Sequence, residues 1–364
     1  MIYFAYFVFI FLVIRFLVAL SNLIFSQKLP KADLSCSDFV SVLIPARNEE
    51  KHISNILSDL LSQDYQNIEI IVFDDLSIDH TAAIVSDMSL NDSRIRLVRS
   101  TGLPEGWLGK NFACHELAQQ AKGDYLLFLD ADVRVGKDLI YRTIHFAKKN
   151  HLGLLSIFPK QEMFSRGEWA TVPVMNYILI TLLPLILVKR SNFTSLSAAN
   201  GQFMLFNSDT YRCFYPHQRL RNNKVEDIGI ARLFKQHKVR IACLAGNESI
   251  SCRMYTGFNE AVNGFSKNVI SFFGGSFLIA ILFWLLTTLG FLIVWLALSF
   301  RYMLFYLFIV AVTKVIVSIV SNQNVLKNLV FHLPQQVSMG LFMIKAVFNM
   351  FNNRYEWKGR NISF

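Results

Sequence analysis

Acidic side chains stand at the ends of two apolar stretches that have the composition of buried β-strands. Asp74 and Asp75 follow one stretch, and Asp130 and Asp132 follow another. An Asp-x-Asp pair suits Mg²⁺ or Mn²⁺, which takes one or two carboxylates and fills its other positions with water and phosphate oxygens. Alone, the second pair also fits a turn held by aspartate hydrogen bonds. Together, the two acidic ends favour a divalent cation beside a diphosphate, with Asp132 and Asp130 as ligands.

A third strand end is polar as well, because Pro45-Ala46-Arg47-Asn48-Glu49-Glu50 follows the apolar run 39–44. The rival nucleotide site, a glycine-rich phosphate loop, would have to lie at 104–111. There Pro104 replaces the first glycine and Asn111 replaces the metal-binding hydroxyl. The pattern therefore disfavours ATPase chemistry.

Alternating apolar runs and helical spacings predict the scaffold that positions these groups. After the first strand, the periodic segment from Ile53 to Leu61 predicts a helix with Asn48 as its N-cap. Further strands are predicted at 68–73, 94–98, 124–129 and 152–157, and further helices near 79–90, 110–121 and 137–149. Alternation of this kind predicts an α/β domain with a mostly parallel sheet, whose ligands bind at the carboxyl ends of the strands.

The composition is that of a membrane protein. Hydrophobic residues make up 53%, charged residues 17%, and the mean hydropathy is +0.37, which excludes a disordered chain. A net charge of +10 is typical of a protein that meets an anionic membrane face or an anionic ligand. Nucleic acid is not expected as a partner, since no usual binding module occurs.

Apolar segments at both ends predict membrane helices. Residues 1–27 predict a spanning helix, since a signal peptide would have a basic start and no Arg15. The lysines that follow orient the next segment, the soluble domain 36–268, toward the cytoplasm. Within the C-terminal membrane region 269–351, the stretches 277–300 and 302–321 predict two spans.

The remaining apolar stretches are shorter or interrupted. In 325–351, Pro334 is expected to kink or end a helix, so we predict a re-entrant or interfacial segment. A cytoplasmic basic tail, 352–364, then leaves an even number of crossings after the soluble domain. The stretch 173–188 predicts an in-plane interfacial helix, with a buried core helix as the alternative. Five cysteines without C-x-x-C spacing indicate reduced thiols.

Four motifs in order carry a resemblance to a known family. VSVLIPARNEE, DDLSIDHT, GWLGKNFA and FLDADV resemble the family 2 glycosyltransferases with a GT-A fold, over residues 39 to about 255. The membrane layout, RMYTGFNEAVNGFSKN and WKGR resemble the branch that includes the diaponeurosporenoate and hopene-associated glycosyltransferases.

The resemblance implies roles for individual residues. Asp132, with Asp130, would hold the metal, and Asp227 in Val225-Glu226-Asp227 would be the catalytic base, although this tripeptide also fits an ordinary acidic helix start. The implied nucleotide-sugar site is Pro45, Ala46, Arg47, Asn48, Glu49, Asp74, Asp75, Lys110, Asn111 and Asp130. The implied acceptor and diphosphate region is Asn200, Gly201, Gln202, Glu226, Arg253 and Lys267. The last two basic residues equally fit contact with lipid phosphates.

The expected activity is addition of one sugar, because the Q-x-x-R-W string of processive members is absent from the sequence. The donor would be a nucleotide-diphosphate sugar such as UDP-glucose, with a Mg²⁺ or Mn²⁺ cofactor. The acceptor would be a membrane lipid, for example a carotenoid or terpenoid carboxylate or hydroxyl, at the cell membrane. Two alternatives stay open: a polyprenyl-phosphate glycosyltransferase, and a non-catalytic nucleotide-binding membrane scaffold or transporter.

Overall fold

The computed structural model describes residues 1–31, 37–352, 356–357 and 360–361. Its strands are β1 (Val40–Ala46), β2 (Ile68–Asp74), β3 (Ile95–Arg99), β4 (Tyr125–Leu129), β5 (Val133–Val135), β6 (Leu154–Phe158), β7 (Lys160–Gln161), β8 (Phe203–Asn207), β9 (Ile241–Ala245), β10 (Ile250–Cys252), β11 (Glu356–Trp357) and β12 (Arg360–Asn361).

The helices are α1 (Ile2–Ile24), α2 (Ile53–Leu61), α3 (Thr81–Asn91), α4 (Gly109–Gln120), α5 (Leu139–Lys149), α6 (Arg166–Thr171), α7 (Pro173–Leu182), α8 (Leu185–Arg190), α9 (Ser208–Phe214), α10 (Pro216–Arg219), α11 (Glu226–Gln236), α12 (Phe258–Phe265), α13 (Phe277–Ala297), α14 (Phe300–Val320), α15 (Val325–Val330) and α16 (His332–Asn352). Short 3₁₀ turns occur at Thr194–Leu196 and Val269–Phe273.

The chain folds as two compact units. One, the sheet unit, comprises residues 27–160 and 187–252. The other, the helical unit, comprises residues 1–26, 161–186 and 253–364. Both units are discontinuous in sequence.

The sheet unit is built on a mostly parallel sheet, as the sequence predicts. Counted over the described residues, seven strands lie in the order β3-β2-β1-β4-β8-β6-β9. β8 is antiparallel to β4 and to β6, while the other pairs in the sheet are parallel. The central strands are apolar because helices cover both faces, and Val42, Leu43 and Ile44 are fully buried.

Helix α1 in the helical unit has one buried stripe and one exposed apolar face. The buried positions recur every three or four residues, as expected for one side of a helix. The exposed large side chains of this helix include Phe4, Phe7, Ile10, Ile14 and Leu17. An apolar surface of this extent suits contact with lipid. Within the described ranges, three helices are long and apolar enough to cross a membrane: α1, α13 and α14.

The helices in two apolar segments, 173–188 and 325–351, break at other places than the sequence predicts. The 173–188 stretch is two helices, α7 and α8, because Pro184 follows a residue in extended conformation, Leu183. Most of α7 is buried against neighbouring helices, which agrees with the alternative of a buried helix. Its in-plane position at a membrane stays a prediction. Pro334 does not end a helix, contrary to one expectation: the break in 325–351 falls at Phe331, and Pro334 lies in the first turn of α16. In the first turn a missing N–H has no intrahelical partner to lose. A re-entrant or interfacial position of this segment stays a prediction.

Cysteines and the basic tail are described only in part. Cys114, Cys213, Cys243 and Cys252 are free thiols, whereas Cys36 lies outside the described residues. Most of the predicted tail 352–364, with Arg354 and Lys358, also lies outside them.

Candidate active site

Strand register brings the predicted polar ends to one edge of the sheet. Ala46 at the end of β1 pairs with Asp74 at the end of β2. β4 runs parallel to β1 on its other side, with Leu43 opposite Phe128, so Asp130 emerges at the same edge. These three strand ends therefore deliver their side chains to one region, as expected for parallel strands.

The loop after β1 is held by the loop after β2. Arg47 donates to the carbonyl oxygens of Asp75 (2.5 Å) and Leu76 (3.2 Å). Asn48 has a φ of 53°, and its side-chain oxygen accepts from the N–H of Ile78 (2.9 Å). Asparagine is one of the few residues that adopts this left-handed conformation at low cost.

The prediction that Asn48 caps the following helix is wrong. Helix α2 begins at Ile53, and His52 occupies the N-cap position. The Asn48 side chain instead accepts a hydrogen bond from the loop after β2.

The other acidic residues of these two loops are held in place as well. Glu49 lies in the loop after β1, and its N–H donates to the Thr81 hydroxyl (2.7 Å). The acidic pair after β2, Asp74 and Asp75, is buried.

Lys110 on α4 joins acidic groups from two distant parts of the chain. Its ammonium lies 2.7 Å and 2.9 Å from the two carboxylate oxygens of Asp130. It also lies 3.7 Å from a carboxylate oxygen of Glu226, at the start of α11. We call this group of four side chains the charged cluster: Lys110, Asp130, Glu226 and the adjacent Asp227. Burial lowers the pKa of Lys110, but the two carboxylates more than offset this and leave it above its usual range.

Asp227 is anchored at the start of α11. One carboxylate oxygen accepts from the N–H of Gly201 (3.1 Å) and the other from the N–H of Ile228 (2.7 Å). The first turn of a helix favours a negative charge. Burial raises the pKa of Asp227, against these two N–H groups. Burial likewise raises the pKa of Glu226 to about 7, opposed by the Lys110 ammonium.

Gly201 fits into the centre of this cluster because it lacks a side chain. A Cβ at this position would lie 3.1 Å from the Lys110 ammonium and 3.3 Å from a Glu226 oxygen. It would also lie 3.8 Å from the Cβ of Asp227. Glycine therefore leaves room for these three charged side chains to lie close to the backbone.

Asp132 has the properties of a ligand for a hard cation. Its Oδ1 is buried and has no hydrogen-bond partner among the described residues. Burial, with the negative charges of Asp130 and Glu49, raises the pKa of Asp132 to about 6. An orphaned carboxylate oxygen in negative surroundings favours a cation. No group of three His, Cys, Asp or Glu side chains arranged for a metal occurs in the described part of the chain, so phosphate or water oxygens would have to complete the coordination.

The segment 200–202 is tied to both sides of the site. The Asn200 backbone exchanges hydrogen bonds with the Ser156 hydroxyl (2.7 and 3.2 Å), and the Gln202 carbonyl accepts from the N–H of Asp130 (3.2 Å). The Gln202 amide donates to the sulfur of Cys252 (2.9 Å), which in turn hydrogen-bonds Asp132. Sequence reasoning missed Cys252 and Ser156, because no spacing links them to residues so far away in the chain.

Three predicted residues have other contacts. Asn111 is buried and donates to the carbonyl oxygens of Leu220, Arg221 and Asn223, so it supports the loop before α11. Its contact with a nucleotide sugar stays a prediction. Arg253 belongs to the helical unit and pairs with the fully buried Glu168 (2.8 Å). Lys267 also belongs to that unit, and the diphosphate roles of both residues stay predictions.

The fold and a family match describe residues 41–214 together. The mostly parallel sheet carries carboxylates at its carboxyl edge, as a GT-A fold does. Residues 41–214 match the family model described as Glycosyl transferase family 2. Over residues 41–214 the chain matches a family 2 glycosyltransferase domain, as the resemblance predicts.

Two curated relatives with the same printed name are similar to this chain. A 4,4'-diaponeurosporenoate glycosyltransferase from Staphylococcus haemolyticus is 29% identical over 239 residues, 63% of this chain and 60% of the relative. This chain therefore matches less than two thirds of that relative. The enzyme of the same name from Staphylococcus aureus is 27% identical over 272 residues, 72% of this chain and 70% of the relative.

A solved structure supports the fold. A mannosyltransferase from Pyrobaculum calidifontis, in complex with GDP-Man and Mn²⁺, superposes with a TM-score of 0.60 at 14% identity. The superposition covers 94% of this chain and 96% of the other. At this identity the likeness concerns the fold alone.

Proposed function

We propose that the protein is an inverting, non-processive glycosyltransferase that moves one sugar from a nucleotide-diphosphate sugar to a membrane lipid. The observation that carries the proposal is the position of Lys110 between Asp130 and Glu226. Through this one ammonium group, the Asp-x-Asp edge of the sheet and the start of α11 become parts of one charged cluster. A donor site and a general base have to be neighbours in this way for a direct displacement.

The donor would bind at the edge formed by β1, β2 and β4. The loop from Pro45 to Glu49, with Asp74 and Asp75, offers backbone and carboxylate groups for a nucleoside. Asp132 and Asp130 would hold a divalent cation, which fits the orphaned oxygen of Asp132. When bound, such a cation neutralises the charge of the diphosphate leaving group.

The acceptor oxygen would attack the anomeric carbon from the face opposite the diphosphate. One C–O bond forms while the bond from the anomeric carbon to the diphosphate oxygen breaks, which inverts the configuration. Asp227 would take the proton of an alcohol acceptor, a contribution of about 10²–10⁴ in rate. A carboxylic acid acceptor is already ionised near pH 7, since such groups titrate near pH 4, and then Asp227 would orient the acceptor instead.

The acceptor we propose is a carotenoid or terpenoid carboxylate or hydroxyl. The printed names of the relatives support this class, as does the set of three helices with the length and composition of membrane spans. An acceptor that does not dissolve in water would have to reach the enzyme within a bilayer. We further propose a multi-pass protein of the cell membrane with its sheet unit in the cytoplasm, from the lysines that follow α1.

The test is product analysis with the full-length protein in membranes. Membranes would receive radiolabelled UDP-glucose, Mn²⁺ and a terpenoid carboxylic acid, its alcohol analogue or a polyprenyl phosphate. A labelled glycosyl ester from the acid or a labelled glycoside from the alcohol, absent with an Asp132→Asn variant, would support the proposal. A phosphodiester-linked sugar would identify a polyprenyl-phosphate enzyme instead. Absence of transfer and of UDP release with all three acceptors, in a protein that still binds UDP, would favour a non-catalytic nucleotide-binding protein.

A further inference from the structure

Two basic side chains lie buried inside the helical unit, far from its polar ends. Arg15 on α1 and Lys314 on α14 are each 2% exposed. At 1.5 Å per residue, Arg15 lies about 14 Å from the end of α1, and Lys314 about 9 Å from the end of α14. Both helices have the length and composition of membrane spans, so these two charges fall within the apolar layer of a bilayer.

The two cations share one aromatic ring. The guanidinium carbon of Arg15 lies 4.7 Å from the ring centre of Tyr177, and the ammonium of Lys314 lies 4.5 Å from it. Arg15 also lies 4.8 Å from the ring centre of Phe283 and donates to the hydroxyl of Thr181 (3.1 Å). Three helices, α1, α7 and α14, therefore converge on one basic centre, with a side chain of α13 beside it.

Within the helices described around this centre, no carboxylate balances its charge. The sequences of α1, α7, α13, α14 and α16 contain no Asp or Glu. Among the described residues, the Nε of Arg15 and the Nδ1 of His332 are buried without a hydrogen-bond partner. His332, the first residue of α16, lies within electrostatic range of both cations. The centre thus combines two charges of one sign with hydrogen-bonding capacity that the protein does not use.

A basic side chain within a bilayer normally extends to the interface or pairs with an acidic group. Lys314 does neither, because Tyr177 covers its ammonium and the neighbouring helices carry no acid. Aromatic faces stabilise a desolvated cation only in part. A buried charge is retained when a partner compensates it, and here the missing partner is an anion.

We propose that Arg15 and Lys314 bind the anionic head group, a carboxylate or phosphate, of an amphiphile whose chain lies along the membrane helices. The guanidinium supplies directed N–H donors and the ammonium a point charge. His332 supplies a further polar atom. The site is proposed from the helical unit alone and does not depend on the glycosyl transfer proposed above.

The experiment measures lipid binding by the full-length protein in a neutral detergent. The probes are oleate and oleyl alcohol, and dioleoyl phosphatidic acid and dioleoylglycerol, detected as bound molecules by native mass spectrometry. The expected result is that at least one anionic probe binds and its neutral counterpart does not. The oleate and phosphatidic acid arms separate a carboxylate ligand from a phosphate ligand.

Variants test whether the basic centre is responsible. Arg15→Met and Lys314→Met should each weaken binding of the anionic probe at least tenfold, and Lys314→Arg should retain it. The matched control is Arg301→Met, because Arg301 lies exposed on the same helix and its loss should leave binding unchanged. Equal binding of anionic and neutral probes would overturn the proposal. So would undiminished binding in Lys314→Met. If Arg15→Met does not fold, Arg15→Lys keeps the charge and should still bind.

Discussion

Lys110 and Asp130 form a two-point ion pair at the carboxyl edge of the sheet, with the ammonium 2.7 Å and 2.9 Å from the two carboxylate oxygens. A lysine held this way on α4 keeps a positive charge beside the predicted leaving group. It also balances the negative charge of the Asp130 side chain beside Asp132. The pair therefore fixes the position of the Asp130 carboxylate at the edge where we propose that the donor binds.

Replacement of Lys110 tests this organisation. Lys110→Met should lower the rate of sugar transfer by on the order of 10², because a preorganised charge at the site is lost. Asp130 and Glu226 would then repel each other without a cation between them. Steady-state rates with a nucleotide sugar measure the effect. Lys122→Met, at an exposed position after α4, is the control. A rate within threefold of wild type would contradict the role of Lys110.

Replacement of Gly201 by alanine should impair catalysis more than folding. Gly201→Ala adds a Cβ 3.1 Å from the ammonium of Lys110. The ammonium then has to shift relative to its carboxylate partners. We expect roughly a tenfold loss of kcat with little change in Tm, since a flexible side chain can yield. Gly257→Ala is the matched control, because a Cβ there meets no atom within 4 Å. Equal kcat values for the two variants would show that the packing around Gly201 is not catalytically important.

Asp227 should matter differently for different acceptors. Asp227→Asn keeps the shape of the side chain and removes its basicity. With an alcohol acceptor, the rate should fall about 10²–10⁴-fold. With a carboxylic acid acceptor it should fall less than tenfold, because no proton has to be removed. Competition between the two acceptor types in one assay measures the ratio directly. Asp209→Asn on α9, at an exposed position, controls for charge.

Stability should fall with rising pH through Glu226. Its pKa is raised from 4.5 to about 7 by burial, so between these pH values the folded protein binds more protons than the unfolded chain. The free energy of unfolding therefore decreases as pH rises from about 4.5 to 7, by at most about 3 kcal/mol from this group. Thermal unfolding in detergent should show a smaller slope for Glu226→Gln. Parallel slopes would assign the pH dependence to other carboxylates.

Removal of divalent cations should stop transfer if Asp132 is a ligand. We expect loss of activity with a chelator and recovery with Mn²⁺ or Mg²⁺. Asp132→Asn should need at least about tenfold more Mn²⁺ for half-maximal activity. Calorimetry with Mn²⁺ and UDP separates metal affinity from catalysis. Full activity in the presence of the chelator would remove the metal from the proposal.

Much of the sheet could be predicted because buried parallel strands read as unbroken apolar runs. β1, β2, β4 and β6 lie within two residues of the predicted ranges. β8 and β9, with the sequences FMLFN and IACLA, were not predicted. The antiparallel direction of β8 was equally hidden, because it is set by pairing with β4 and β6 rather than by composition.

The site was harder to predict than the sheet. Carboxylates at strand ends could be found because chain order and register bring them to one edge. The bridge from Lys110 to Glu226 and the contact of Asp132 with Cys252 join residues more than a hundred positions apart. Such contacts depend on how α11 and β10 pack, and no local pattern encodes that packing.

The position of β8 in the sheet has a consequence for assembly during synthesis. β3, β2, β1 and β4 are complete once residue 129 has left the ribosome, and they are neighbours in the sheet. β6 is the next strand of this sheet to be made, but it cannot join the sheet before β8, which lies between β4 and β6. Between β6 and β8, the ribosome makes α6 and α7, which belong to the helical unit. The nascent protein therefore exposes an open, apolar edge of β4 over about 70 residues of translation, an interval in which a chaperone or the bilayer has to shield it.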